Sequence, residues 1–398
     1  VIAVVGIGAD GLEGLGPAAR AEIAAAEVIV GSTRQLALLR SEDGAVHRPW
    51  PSPIGPLVDE LVADPDRPTC VLASGDPMLH GIGATLARRL GPDHLRVHPH
   101  PSAFALACAR LGWPAAEVAL VSAVGRPVEA VARLLQPGRR LVVYAAGIQG
   151  AAEVAALLRE RGHGPSRLVV LERLGGEEEM VIESTAEAWG DDPADPLHVV
   201  AIECVPAPGT PLLALVPGLP DEAFATDGQL TSRGVRAIAL AALAPMPGQL
   251  LWDVGAGSGS IAIEWLRTEP TARAIAIEER EDRAQRIAAN ARALGVPQLV
   301  VRPGRAPEAL AKLEGPDAVF VGGGVTEPGL IEACVTALRP GGRIVANAVT
   351  VEGEGVLLAA RDAHGGTLTR ISLEHAEPVG RFTAWRAQLP VVQWAATR

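Results

Sequence analysis

Aromatic residues are scarce in this chain, at 3% of 398 positions, with one tyrosine and four phenylalanines beside seven tryptophans. Its cores must therefore be packed with Ala, Val, Leu and Ile. Lysine is all but missing: Lys312 stands alone, and arginine carries nearly every positive charge. That pattern reads as a coding bias of a GC-rich genome rather than as function. Only four cysteines occur, Cys70, Cys108, Cys204 and Cys334. None forms a CxxC pair, which excludes a disulfide scaffold and points to a reducing compartment. Positive charge is outweighed, and the net charge of −11 argues against a general nucleic-acid or anionic-membrane binder. No long hydrophobic run is fit to span a membrane. The uncharged stretch from Cys204 to Pro220 carries five prolines and cannot be a membrane helix. The opening VIAVVGIGADG reads as a strand and turn, without a charged region before a cleavable apolar segment. A cytoplasmic protein is expected.

What is present is globular. Hydrophobic residues make up 48% and charged residues 20%, too apolar for a disordered chain and long enough for two or three domains. Short apolar runs (Val1–Ile7, Cys70–Ala73, Leu141–Ala145, Leu168–Leu171, Val199–Ile202) alternate with helical patterns such as Gly83–Leu90 and Ala151–Arg161, which predicts α/β layers. The stretch PAPGTPLLALVPGLP, 206–220, interrupts this texture with five prolines and two glycines. It is read as a linker over 206–221, separating domains 1–205 and 222–398. Beyond it the pattern restarts, with helices predicted over 231–243, 259–267, 281–294 and 328–338 and strands over 249–254, 273–277, 298–301, 317–321 and 342–348.

Two glycine loops follow first strands. Gly6-Ile7-Gly8-Ala9-Asp10-Gly11 is a literal GxGxxG. A dinucleotide site needs a helix N-terminus at the third glycine and an acid closing the next strand. Here Gly14, Gly16 and Pro17 delay the helix to about Pro17, and no acid closes Val28–Val30. A plain turn or a ligand loop of another kind fits better. The second loop, Asp253-Val254-Gly255-Ala256-Gly257-Ser258-Gly259, is DxGxGxG and leads directly into an apolar helix. The next strand ends in Glu278, placed to hold the two hydroxyls of a ribose. Together they point to an adenosine-type cofactor, with S-adenosylmethionine (SAM) favoured over a nicotinamide and over a structural turn. A third turn, Ser74-Gly75-Asp76-Pro77, closes another strand. His98 and His100 alternate with proline and have no third partner nearby, so no metal is expected.

The segments VVGIGADGLEGL, ASGDPMLHGIG and VSAVGRP resemble the tetrapyrrole (corrin/porphyrin) methylase family over residues 1 to about 205. The segments DGQLTSRGVRAIALAAL, LWDVGAGSGSIAIEWL, AIAIEERED, GRAPEAL, VFVGGGVTE and VANAVTVE resemble the decarboxylating methyltransferase domain of the cobalamin pathway over about 222–398. The resemblance implies a two-lobed tetrapyrrole methylase fold followed by a class I SAM-dependent Rossmann-like fold, with two SAM sites and a tetrapyrrole substrate. It implies methylation at C5 by the first domain, and methylation at C15 with loss of CO₂ from the ring-C acetate by the second. By motif position, Thr231, Gly255, Ala256, Gly257, Ser258, Gly259, Glu278 and Ala306 would contact SAM in the second domain, and Gly75, Asp76 and Ser122 in the first. Two positions depart from the family pattern: Arg305 stands where an acid usually meets the adenine amine, and Gly11 where proline is frequent. Methyl transfer from a sulfonium rests mainly on positioning, and no catalytic side chain is singled out. Arg233 and Arg236 are candidates to fork the substrate's carboxylates, or else form a solvated helix face. Asn347 and Glu352 are candidates at a late strand end, or else polar caps. A homo-oligomer is expected. The competing readings are a SAM methyltransferase acting on another substrate with a non-catalytic N-terminal binding module, and a nicotinamide enzyme.

Overall fold

The computed structural model describes residues 1–39 and 44–398. The chain divides into two compact units: Val1–Val128 with Pro137–Thr210, and Glu129–Gln136 with Pro211–Arg398.

The first unit is built on two sheets. In one, five parallel strands lie in the order Val46–Pro49, Val28–Gly31, Thr69–Ser74, Ile2–Ile7, Leu95–His98. Ile2–Ile7 is buried along its whole length, as a strand covered on both faces must be. Two apolar clusters flank this sheet, one around Val4, Val30 and Leu86 and one around Val5, Ile29 and Leu72. The other sheet runs Val118–Ser122, Arg140–Tyr144, His198–Glu203, Arg167–Glu172, Met180–Thr185. Only its first pair is parallel. The first helix starts at Pro17, with the proline in its first turn, where its fixed φ fits and no N–H is missed.

The second unit has one seven-stranded sheet, in the order Val300–Pro303, Arg273–Glu278, Leu250–Val254, Ala318–Val321, Arg343–Ala348, Val391–Thr397, Thr367–Ile371. The first five strands are parallel, and Val391–Thr397 enters antiparallel. Helices cover both faces over two apolar clusters, centred on Trp265 and on Trp252 with Trp394. This is a doubly wound Rossmann-like sheet, and the strand order reverses between Leu250–Val254 and Ala318–Val321, where a ligand crevice opens beyond the strand ends. The predicted elements from 231 to 348 appear within a few residues. A helix at Val351–His364, an exposed hairpin of Glu374–Val379 with Phe382–Ala387, and the last strand complete the unit.

The proline-rich stretch behaves differently along its length. It belongs to the first unit up to Thr210 and to the second from Pro211 onward. Prolines deny it a ladder of its own, so its polar backbone is met by side chains of the buried helix Ser260–Thr268. Glu264 accepts from Gly218 N–H at 2.5 Å and Leu219 N–H at 3.1 Å, and Arg267 donates to the carbonyls of Leu213 and Ala214. Leu219 and Phe224 enter the core. All four cysteines are buried and outside any disulfide, and burial pushes the Cys70 and Cys334 thiols up to about 12, which leaves these two inert. Among the described residues no helix is long and apolar enough to cross a membrane.

Candidate active site

In the second unit a cleft of about 640 Å³ opens at the reversal point of the sheet, within the roughly 300–1,000 Å³ usual for small-molecule sites. Its floor is the turn after Leu250–Val254. Gly255, Gly257 and Gly259 all adopt left-handed φ values, +68°, +61° and +77°, which only glycine reaches without strain. A Cβ on Gly255 would lie 2.8 Å from Gly323 N, so the turn and the loop after Ala318–Val321 meet backbone to backbone. Gly259 leads into helix Ser260–Thr268 and rests against Ile287; it does not line the cleft. Ala256, Gly257, Ser258, Thr231, Glu278 and Ala306 do line it.

Glu278 ends the second strand, and its carboxylate accepts Gly257 N–H at 2.9 Å and Arg280 N–H at 3.1 Å. Backbone donors therefore fix the carboxylate as it faces the cleft. Asp253 is fully buried beneath the turn and accepts Ala262 N–H at 3.0 Å. Burial, with the neighbouring Glu278 charge, pushes its carboxyl up to about 7. The Ser258 hydroxyl is buried in the lining without a hydrogen-bond partner. Asn290 locks the turn from behind, donating to the carbonyls of Ser258 at 3.0 Å and Ala225 at 2.9 Å. Three left-handed glycines, an oriented carboxylate and an unsatisfied hydroxyl suit a polar adenosine-type ligand, and the residues expected to hold SAM here fit that group.

Arg305 faces the cleft and is held by both oxygens of Glu327 at 2.7 Å. The pair joins the loops after Val300–Pro303 and Ala318–Val321, consecutive in the chain but separated in the sheet by two strands, and Glu327 supplies an acidic oxygen beside the position where the family pattern has its acid. Asn347 also lines the cleft, its carbonyl oxygen accepting from Gln393 at 3.0 Å.

Three of the residues expected to meet substrate lie elsewhere. Arg236 is buried completely: it pairs with Glu264 at 2.5 Å and Asp221 at 3.0 Å and donates to the carbonyls of Thr231 and Leu219. A guanidinium with every direction engaged cannot fork a substrate carboxylate. Its role is to hold the proline-rich stretch and Thr231, and the expectation is corrected accordingly. Arg233 is exposed at the start of the same helix, and Glu352 is exposed in the first turn of Val351–His364; neither lines the cleft. Sequence reasoning did not single out Asn290, Glu327, Gln388 or the glycines 322–324 as site residues. Only the glycines and Glu327 had a visible signal, the run VFVGGGVTE, which ends in Glu327.

In the first unit, Gly75 turns at φ +58° against the backbone of Pro101 and Ser102. Asp76 accepts Met78 N–H at 2.8 Å. Ser122 is buried at a strand end, in register with Tyr144. Tyr144, the only tyrosine, accepts Phe104 N–H at 3.2 Å and stands edge-on to His80, with ring centres 6.2 Å apart. Burial pushes its phenol up, and the Asp76 charge adds to the shift. Gly75, Asp76 and Ser122 thus lie around Tyr144, which the sequence did not mark. They do not line a cavity of about 1,920 Å³ in this unit, whose walls include Ala9 to Glu13, Arg34 and Gly175. His98 faces Glu22 at 3.5 Å and His100 faces Asp10 at 3.2 Å.

The sequence model for the precorrin methyltransferase domain matches residues 222–398, and that for the tetrapyrrole (corrin/porphyrin) methylases matches residues 1–189. A precorrin-6Y C(5,15)-methyltransferase [decarboxylating] from Sinorhizobium sp is 47% identical, over 100% of this chain and 96% of its own length. Its namesake from Mycobacterium tuberculosis (strain CDC 1551 / Oshkosh) is 48% identical over the full length of both. The crystal structure of the C-terminal domain of precorrin-6Y C5,15-methyltransferase from Rhodobacter capsulatus is 48% identical, covers 47% of this chain and 100% of its own, and has a TM-score of 0.45. With its two units in this order and relatives alike from end to end, the chain belongs to the family of decarboxylating precorrin-6Y C5,15-methyltransferases.

Proposed function

We propose that the chain uses SAM to methylate precorrin-6Y at C5 and C15 and removes CO₂ from its ring-C acetate, giving precorrin-8 on the route to cobalamin. The second unit performs the C15 methylation and the decarboxylation; the first performs the C5 methylation at a SAM site of its own around Gly75, Asp76 and Ser122. The observation that carries the reading is the turn Gly255–Gly259 braced by Glu278 at the reversal point of the second sheet.

The bound cofactor supplies an electrophilic methyl group on a sulfonium. The turn would give the cofactor room and the unpartnered Ser258 hydroxyl, while Glu278 would receive hydroxyl hydrogens of a ribose and so fix the cofactor's orientation. Asp253 holds the turn from beneath and keeps its carboxyl proton below about pH 7. Asn347, at the end of its strand, and Gln388, which accepts from Ser232 at 3.2 Å, lie on the opposite wall and can orient an acetate or amide-like edge of the macrocycle. Alignment of the substrate carbon with the methyl is the main contribution to rate. The same walls keep the acetate carboxylate away from water, and the macrocycle itself accepts the electron pair left as CO₂ departs.

The intact chain incubated with precorrin-6Y and SAM, followed by mass spectrometry, tests this. The product should carry two added methyl groups and lack one carboxyl. Two methyls with every carboxyl retained would remove the decarboxylation from this chain.

A further inference from the structure

The helix Glu281–Ala293 turns one face toward the cofactor turn of the second unit. Residues 283, 287 and 290 lie one above another at helical spacing. Ile287 rests against Gly259, and Asn290 donates to the Ser258 carbonyl. Arg283 is the outermost member of this face, and it lines the cleft. Its Nε donates to Asp227 Oδ2 at 2.9 Å, and its side chain is 21% exposed. Its two terminal amines have no hydrogen-bond partner among the described residues. Local preference does not account for this arginine. It stands in the first turn, at the positive end of the helix dipole, where Asp and Glu are favoured. Asp227 does not neutralise the group either. The same Oδ2 also faces Arg286 at 3.5 Å and Arg280 at 3.9 Å, while Asp282 faces Arg280 and Arg286. Three guanidiniums thus share these two carboxylates. The Arg283 hydrogen bond holds the Asp227 carboxyl down at about 2, so the tether stays charged at neutral pH.

We propose that Arg283 is the carboxylate receptor of this cleft, its open amines forking a carboxylate of the cofactor's amino-acid end or of the macrocycle. The assignment rests on the reading of the cleft as a SAM site. Both ligands carry the required chemistry: SAM ends in an α-carboxylate, and the macrocycle bears acid side chains. The cleft itself is rich in acids. Glu278, Glu279 and Glu327 line it, and its cations are Arg283 and Arg305. Arg305 lays one amine on both oxygens of Glu327 and is 58% exposed. A ligand carboxylate there would meet the Glu327 charge as well. Arg283 is held by its Nε side and open on its outer side, so its planar fork is already oriented for bidentate pairing. Partial burial makes such a pair stronger than it would be in open water. The tether also shapes the site. Asp227 leads into residues 228–232, which line the cleft, and Gln229 O lies 3.3 Å from where a Cβ on Gly257 would stand. Guanidinium, strap and cofactor turn therefore form one corner of the cleft.

The test is calorimetric titration of the full chain with S-adenosylhomocysteine and with 5′-methylthioadenosine, which lacks the amino-acid end. Gly257→Arg serves as the chain without the second unit's site, and CO₂ release from precorrin-6Y is the second readout. Arg283→Met removes the amines at similar length. With the cofactor's carboxylate on Arg283, this variant should bind S-adenosylhomocysteine about tenfold or more weakly at the second site, with 5′-methylthioadenosine unmoved. With the macrocycle's carboxylate there, cofactor binding should hold and KM for precorrin-6Y should rise about tenfold or more, with kcat little changed. Arg283→Lys keeps the charge without the fork and should show a smaller loss of the same kind, which covers the case of Arg283→Met failing to fold. Wild-type binding and KM in both variants would overturn the proposal. So would equal weakening of the two nucleosides, since Arg283 would then only brace the strap. Identical S-adenosylhomocysteine isotherms for the wild type and Gly257→Arg would remove the cofactor from the cleft, overturning the SAM reading and this proposal together.

Discussion

Two glycine loops, each after the first strand of its unit, share their letters and little else. In Gly6–Gly11, Gly6 and Gly8 lie outside the left-handed region. They are glycines because of what presses on them: a Cβ on Gly6 would come within 2.0 Å of Gly75 O, and one on Gly8 within 2.6 Å of the His100 ring. A short 3₁₀ turn, Gly11–Gly14, follows, and the helix waits for Pro17. In Gly255–Gly259 every glycine has positive φ, the helix begins at once, and Glu278 braces the turn from the next strand. The next strand in the first unit's chain order ends at Gly31, and Ser32 after it caps a short helix instead of offering a carboxylate. A glycine spacing is thus only permission for close approach; the following helix and the acid decide what approaches.

The comparison can be broken at either loop. The largest effect is expected for Gly257→Arg, which places a long side chain at φ +61° beside Gln229 O in the cofactor turn. SAM titrated calorimetrically into the full chain should fall from two sites to one, and CO₂ release from precorrin-6Y should stop. Retained decarboxylation would show that the chemistry belongs to the other unit. Next comes Asp253. Its folded carboxyl keeps its proton up to about 7, whereas the unfolded one releases it near 4. Between those values the unfolded state binds fewer protons, so stability falls as pH rises through this window and levels off above it. Asp253→Asn still offers an oxygen to Ala262 N–H and should flatten that slope, on the order of a few kcal/mol across the window. Melting of the second unit from pH 4 to 8 reads it, and a slope unchanged in the variant counts against the buried carboxyl as its source.

Glu278→Ala should weaken SAM binding by about 1.5–3 kcal/mol for a charged hydrogen bond lost, roughly 10- to 150-fold. Glu278→Gln should recover part of this by accepting Gly257 N–H. Binding to the first unit should not move, and an equal loss at both sites would sink the ribose assignment. The smallest change is expected at Gly8→Ala, about 1–3 kcal/mol for overpacking against His100. Adding His100→Ala should restore part of it, because the constraints are side chains; Asp10 Oδ1, 2.5 Å from the added Cβ, remains. No partner truncation should rescue Gly255→Ala, where the obstacle is the Gly323 backbone. Denaturant melts of these variants distinguish the two kinds of glycine.

The α/β alternation, the second loop and Glu278 were legible because each rests on local patterns: apolar runs of strand length, a turn that needs glycine, an acid at a strand end. Arg236 was misplaced because a helix-face arginine looks the same in sequence whether it meets water or a buried Glu264; only packing puts Asp221, Glu264 and two carbonyls around it. The proline-rich stretch was read as a linker over 206–221. Prolines do deny it a sheet or helix, but its second half is held by Glu264 and Arg267 of a helix about 50 residues away.

By itself the sequence determined where strands, helices and cofactor-type turns form, since backbone preference and apolar period act over a few residues. Tertiary structure decided which polar groups stay free to meet a ligand. Asn290 ties Ala225 to Ser258, Glu327 faces Arg305, and Tyr144 stands among Asp76, Ser122 and His80. Each of these meetings joins residues far apart in the chain, and whether a charge is desolvated, paired or open to substrate depends on neighbours that no local pattern names.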